Sequence, residues 1–138
     1  VIETQRGHDL GRVLLSGGAA ADTGVPGEIG GKSAERVIKA PAAGVVEQIA
    51  RIGDAVKAGD PVIGVRGAEG LLEVRSSIDG VVRGVLRPGL EVFAGMKIAD
   101  VDPRGEPEHC RTISDKSRAV AGGVLEAILV LKGRVKRG

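Results

Sequence analysis

A chain of 138 residues suits one domain, or a compact module with extensions, and a fold of this size buries roughly two thirds of the surface its unfolded form exposes. Its 42% hydrophobic content comes almost wholly from Val, Ile, Leu and Ala; Phe93 is the only aromatic residue, which argues against the stacking platforms of single-strand nucleic-acid binding. The formal charge of +2 misleads, because Lys132, Arg134, Lys136 and Arg137 crowd the C-terminus and residues 1–131 hold 16 basic against 18 acidic side chains, a nearly neutral body.

Residues 1–36 read as an N-terminal segment followed by a Gly-rich loop. The opening Val1-Ile2-Glu3-Thr4-Gln5-Arg6 has neither the charged nor the apolar region of a signal peptide, and with no initiating Met the chain reads as a fragment of a longer protein. Gly27-Glu28-Ile29-Gly30-Gly31-Lys32-Ser33 resembles a phosphate-binding loop, but the first glycine of that motif would fall at Pro26. Residues 34–39 end in the β-like Arg36-Val37-Ile38-Lys39 and not in the helix whose N-terminus would hold a phosphate, so a flexible connecting loop is expected.

Residues 37–102 carry an internal repeat at a constant, gap-free offset of 36. Gly44-Val45-Val46 matches Gly80-Val81-Val82, Gly53 matches Gly89, Val56 matches Val92, Gly59 matches Gly95, Val62 matches Ile98 and Val65 matches Val101. Short β-branched runs between Gly, Gly-Asp and Pro-Gly punctuation predict strands joined by tight turns. Ile49, Val56, Val62 and their counterparts are expected to face inward, each unit covering the apolar face of the other. Residues 37–65 should then superpose on 73–101 by a pseudo-twofold rotation, and neither half should be stable alone.

The segments Ala40-Pro41-Ala42-Ala43-Gly44-Val45-Val46 and Ile52-Gly53-Asp54-Ala55-Val56-Lys57-Ala58-Gly59-Asp60-Pro61-Val62 resemble the first half of a biotinyl/lipoyl hammerhead. The fold that this resemblance implies is mainly β: a duplicated hammerhead, or barrel-sandwich hybrid, with an N-terminal extension and one C-terminal α-helix. Carriers of that family hold the modified lysine at the hairpin joining the halves. Here the joint is Arg66-Gly67-Ala68-Glu69-Gly70, without lysine, and a carrier role is not expected. Met96-Lys97 aligns with Asp60-Pro61 at a strand start, so Lys97 is expected to be unmodified and solvated.

Residues 103–131 are expected to form a connector and a helix from about Asp115 to Leu131, and residues 132–138 a basic tail, frayed or linking. Thr112 or Ser114 can cap the helix, and Thr112 with Asp115 has capping-box spacing. Val120, Val124, Ala127, Ile128 and Leu131 recur at three- and four-residue steps and form one apolar face, expected to lie on the barrel or on a partner. Gly122-Gly123 costs such a helix roughly 2 kcal/mol against two alanines, which points to close backbone packing. The longest apolar run, Val120 to Leu131, is broken by Glu126 and falls short of the ~20 residues of a membrane span.

The flanks are more distinctive. Glu3-Thr4-Gln5-Arg6-Gly7-His8-Asp9-Leu10-Gly11-Arg12-Val13, Asp22-Thr23-Gly24-Val25-Pro26-Gly27 and the run from Cys110-Arg111-Thr112-Ile113-Ser114-Asp115-Lys116-Ser117-Arg118-Ala119 through Gly122 to Leu129 resemble the selenium-dependent molybdenum hydroxylase accessory proteins, the YqeB-like family. The resemblance covers nearly the whole chain up to Leu129. It implies a role in maturing a molybdenum hydroxylase, with that client as partner, and not hydroxylase activity itself. Members of the family carry a dinucleotide-type glycine-rich domain before this region.

Cys110 is the only cysteine, which excludes an internal disulfide and fits a reducing compartment, with cytoplasm as the expected location. No second Cys or His stands at a short spacing from His8 or from His109-Cys110, so no metal site is expected. The sharpest site reading makes Cys110 a nucleophilic thiolate and His8 the group that moves its proton. Arg6, Lys116, Arg118 and Asp115 would surround the ligand, with Arg6 or Lys116 stabilising the anion. No cofactor is expected beyond a labile selenium or sulfur species, and no nucleic-acid or membrane partner; a homo-oligomer is compatible with the sequence. Three classes stay open: a maturation factor, an assembly adaptor in which the thiol is idle, and the substrate half of a nucleotide-dependent transferase.

Overall fold

The computed structural model describes residues 1–22 and 26–133. It divides into two compact units, one formed by Val25–Thr112 and one by Val1–Gly24 with Ile113–Gly138. The Thr23-Gly24-Val25 part of the Gly-rich loop, and the basic tail from Arg134 on, lie outside the described residues.

The larger unit holds every strand found among the described residues: β1 (Val37–Lys39), β2 (Gly44–Gln48), β3 (Ala55–Val56), β4 (Pro61–Gly67), β5 (Gly70–Arg75), β6 (Gly80–Val85), β7 (Glu91–Val92) and β8 (Lys97–Asp102). They form two antiparallel four-stranded sheets, in the orders β1-β8-β6-β3 and β5-β4-β2-β7. A shift of 36 residues carries each strand of one sheet onto its counterpart in the other. Each sheet therefore takes two strands from each copy, and neither copy contains a complete sheet.

The symmetry extends to single hydrogen bonds. Gly53 N donates to Val82 O at 2.8 Å, and Gly89 N donates to Val46 O at 2.9 Å; Val82 N reaches Asp54 O, and Val46 N reaches Leu90 O. Gly59 and Gly95 occupy matching turns at φ +94° and +83°, where a side chain would be strained. Gly44 and Gly80 lie flat against the neighbouring strand, and a methyl on either would overlap the carbonyl oxygen of Arg66 or of Asp102. Between the sheets lies an almost wholly aliphatic core, with Val46, Val62, Ile63 and Val65 from one and Val82, Ile98 and Val101 from the other. Burying each such side chain stabilises the fold by about 1.5–3 kcal/mol.

The expected fold class, a mainly β biotinyl/lipoyl-like barrel-sandwich, requires correction. The strands do not close into a barrel: they make two separate sheets in a sandwich-like arrangement, and with the long C-terminal helix the chain is of mixed α/β type. The physical reason lies at the edges. Strands β3 and β7 are two residues long and β1 is three, too short to carry a hydrogen-bond ladder from one sheet round to the other. Ile49 departs from expectation as well, standing 38% exposed just beyond the end of β2. Lys97 opens β8 and pairs with Asp100 at 3.4 Å. The phosphate-loop-like segment is a tight turn, with Ile29 bridged to Lys32 across Gly30 and Gly31 at φ +57° and +74°.

The smaller unit contains helix α1 (Asp115–Leu131) and the N-terminal segment. Ser114 caps the helix, its hydroxyl accepting from Ser117 N at 3.1 Å, while the Thr112 hydroxyl donates to Glu108 O instead. Gly123 is the one buried helical residue: it lies against the Gly11 carbonyl, leaving no room for a methyl, whereas Gly122 faces open space. Of the apolar face expected to lie on the barrel or on a partner, Val120 and Ala127 are half-buried and Val124, Ile128 and Leu131 are exposed.

Candidate functional site

The N-terminal segment is organised by Glu3, a buried acid. Its Oε1 accepts from Thr4 N and Gln5 N, and its Oε2 from Ala20 N, each at 2.8 Å, while its backbone pairs with Arg12 and Gly11. The amides of Gln5 and Ala20 hold this carboxyl below the usual carboxylate range. Glu3 ties the loop carrying Arg6 and His8 into shape, a role the sequence signals only as an isolated acid near the start of the chain.

Arg6 makes a two-pronged ion pair with Asp115 at the first residue of α1, its second nitrogen reaching Oδ1 at 3.0 Å. The guanidinium, joined by the Lys116 backbone amide, keeps the Asp115 carboxyl well below its ordinary range. The two flanks of the chain are thereby joined inside one unit. Lys116 is half-buried, and His8 and Arg118 are exposed.

Cys110 belongs to the strand unit. It ends the 3-10 turn Pro107–Cys110, half-buried, and its thiol donates to the Val82 carbonyl of β6 at 3.6 Å. This contact ties the turn to β6. Of the six residues expected to share a site, Arg6, His8, Asp115, Lys116 and Arg118 lie in the helical unit, and neither unit alone contains the whole set.

The most deeply held polar group, which sequence reasoning missed, is Asp102 at the end of β8. Its side chain is fully buried and accepts from Arg83 at 2.8 Å and from Arg104 Nε at 2.9 Å, the other Arg104 nitrogen at 2.6 Å and Arg104 N at 3.1 Å. The Arg104 guanidinium dominates in depressing its pKa, against the opposing effect of burial. The repeat offset held the clue. Arg66 and Glu47 occupy the positions equivalent to Asp102 and Arg83, so the two copies carry the same cross-strand ion pair with its charges reversed.

Beside β3 a shallow groove of about 310 Å³ is lined by Ala55, Val56, Lys57, Asp79, Val81 and Pro103. Lys57 and Asp79 close an ion pair at 3.0 Å in it, which leaves no uncompensated charge to fix a ligand. Pairing of this kind, at Arg6–Asp115, Lys57–Asp79 and Asp102 alike, gives arrangements suited to holding backbone in place more than to acid–base work.

No family model matches the chain. It is 50% identical over 131 residues, 95% of its length, to the uncharacterized protein YqeB of Escherichia coli (strain K12), of which it spans 24%. Among solved structures it is similar to an aspartoacylase family protein from Mesorhizobium loti, with TM-score 0.47 and 18% identity over 49% of this chain and 25% of that one. A succinylglutamatedesuccinylase/aspartoacylase from Rhodobacter sphaeroides gives TM-score 0.45 and 27% identity over 51% of this chain and 23% of that one. The ectoine utilization protein EutE of Ruegeria pomeroyi gives 0.45 and 23% over 49% and 22%.

Proposed function

We propose that the chain serves the maturation of a selenium-dependent molybdenum hydroxylase by binding either the client enzyme or a labile selenium or sulfur species. The observation that carries this reading is the 50% identity to YqeB across 95% of the chain, which takes in the flanks bearing the resemblance to the accessory family. The Arg6–Asp115 pair, joining those flanks in one unit, supports a role for them as a single binding element. A second reading, an assembly adaptor with an idle thiol, is favoured by the hydrogen bond from Cys110 to the Val82 carbonyl.

The test is made in cells lacking the full-length gene, with selenium per molecule of purified hydroxylase as the readout. Deletion should lower it and the full-length wild-type gene should restore it. A hydroxylase with undiminished selenium in the deletion strain refutes the maturation role. Complementation by Cys110→Ser separates the readings: failure favours handling of a selenium or sulfur species at the thiol, and full rescue favours the adaptor.

A further inference from the structure

Helix α1 has two apolar faces. Ala119, Gly123, Ala127 and Val130 are buried or half-buried, and Gly123 lies against Gly11 and Ile2 of the N-terminal segment. On the other side Ser117, Ala121, Val124, Ile128 and Leu131 are all exposed, Ile128 by 46% and Leu131 by 82%. Their spacing is four, three, four, three: the seam by which one helix packs along another, carried through two heptads. Leu125, 59% exposed, widens the stripe.

Charge narrows what can lie there. Arg118, Leu125 and Lys132 recur every seven residues along one flank of the seam, placing an exposed cation near each end, about 21 Å apart. Neither acid of the helix balances them on that face, because Glu126 sits on the half-buried side and Asp115 is held by Arg6. A second copy fits poorly. An antiparallel self-pair sets Arg118 of one copy against Lys132 of the other, and a parallel one sets Lys132 against Ala127, so neither arrangement gives these cations a carboxylate.

We propose that this face of α1 docks an amphipathic helix of a partner protein, with apolar residues at alternating steps of three and four and carboxylates two heptads apart that meet Arg118 and Lys132. Such docking is independent of the maturation role and needs only the helix and its exposed seam. The probe is a pair of labelled synthetic peptides of about three heptads, with leucine in the seam and either Glu or Lys at the flanking positions. Binding to the whole chain is read by fluorescence anisotropy.

The Glu peptide should bind at least about tenfold tighter than its Lys twin at low salt, and the preference should shrink toward 1 M salt. Ile128→Ser should abolish binding of the Glu peptide, as should Leu131→Ser at the exposed end of the helix, where folding is least at risk. Arg118→Glu combined with Lys132→Glu should reverse the preference. Equal binding of the two peptides, binding that survives Ile128→Ser, or no binding at all overturns the proposal. So does a chain that sediments as a dimer dissociated by Ile128→Ser, which assigns the seam to a second copy.

Discussion

Replacing Asp102 by Asn removes the charge of a carboxylate that has no solvent exposure and leaves Arg83 and Arg104 facing a neutral amide. Breaking a buried ion pair from one side costs about 3–5 kcal/mol, but the two arginine side chains are 21% and 39% exposed and recover part of their hydration. A loss of about 2–3 kcal/mol is therefore expected. Glu47→Gln is the built-in control, since it removes the equivalent pair of the other copy from a site where both side chains reach water, and a much smaller loss is expected there. Urea denaturation followed by far-UV circular dichroism reads both, the absence of Trp and Tyr ruling out intrinsic fluorescence from those residues. The pH dependence gives a second signature. A carboxyl with a depressed folded pKa adds stability that is complete above its unfolded value of about 3.9 and is lost as pH falls toward the folded value. The gap between wild type and Asp102→Asn should thus be flat from neutrality to about pH 5 and narrow in acid. Equal costs for the two substitutions, or a gap indifferent to acid, would refute the assignment of Asp102 as the main electrostatic anchor of the strand unit.

Gly44→Ala and Gly80→Ala should each cost about 1–3 kcal/mol through overlap with a neighbouring carbonyl, and by similar amounts; a neutral result at either would break the twofold argument in the same urea assay. Gly123→Ala should loosen the N-terminal segment from α1, seen as faster amide exchange at Glu3 and Gly11, while Gly122→Ala should be neutral or stabilising. Cys110 should be alkylated more slowly in the folded chain than in concentrated urea, because its half-buried thiol donates to Val82 O; equal rates would remove that restraint.

Much of the local structure was legible as pattern. The 36-residue offset, the turn glycines and the helix from Asp115 to Leu131 are properties of local sequence, and local backbone preferences suffice to express them. The Arg6–Asp115 pair, by contrast, joins residues 109 positions apart, and nothing local foretells it. The sheet pairing was likewise decided in three dimensions: the copies interleave, and short edge strands stop the ladder before it can close. Burial was decided there too. Val45 and Val81 occupy equivalent places in the repeat, yet one is 39% exposed and the other 1%. The Pro107–Cys110 turn lies on β6 of the second copy, pinned through Cys110 to Val82. In α1 the period of the apolar residues was readable, but not which side would be covered, because a helix apolar on two sides satisfies the same spacing whichever way it turns. Gly123 and Gly11 settle the choice, since the Gly11 backbone lies against both Ala119 and Gly123 at distances that leave no room for a methyl on either glycine.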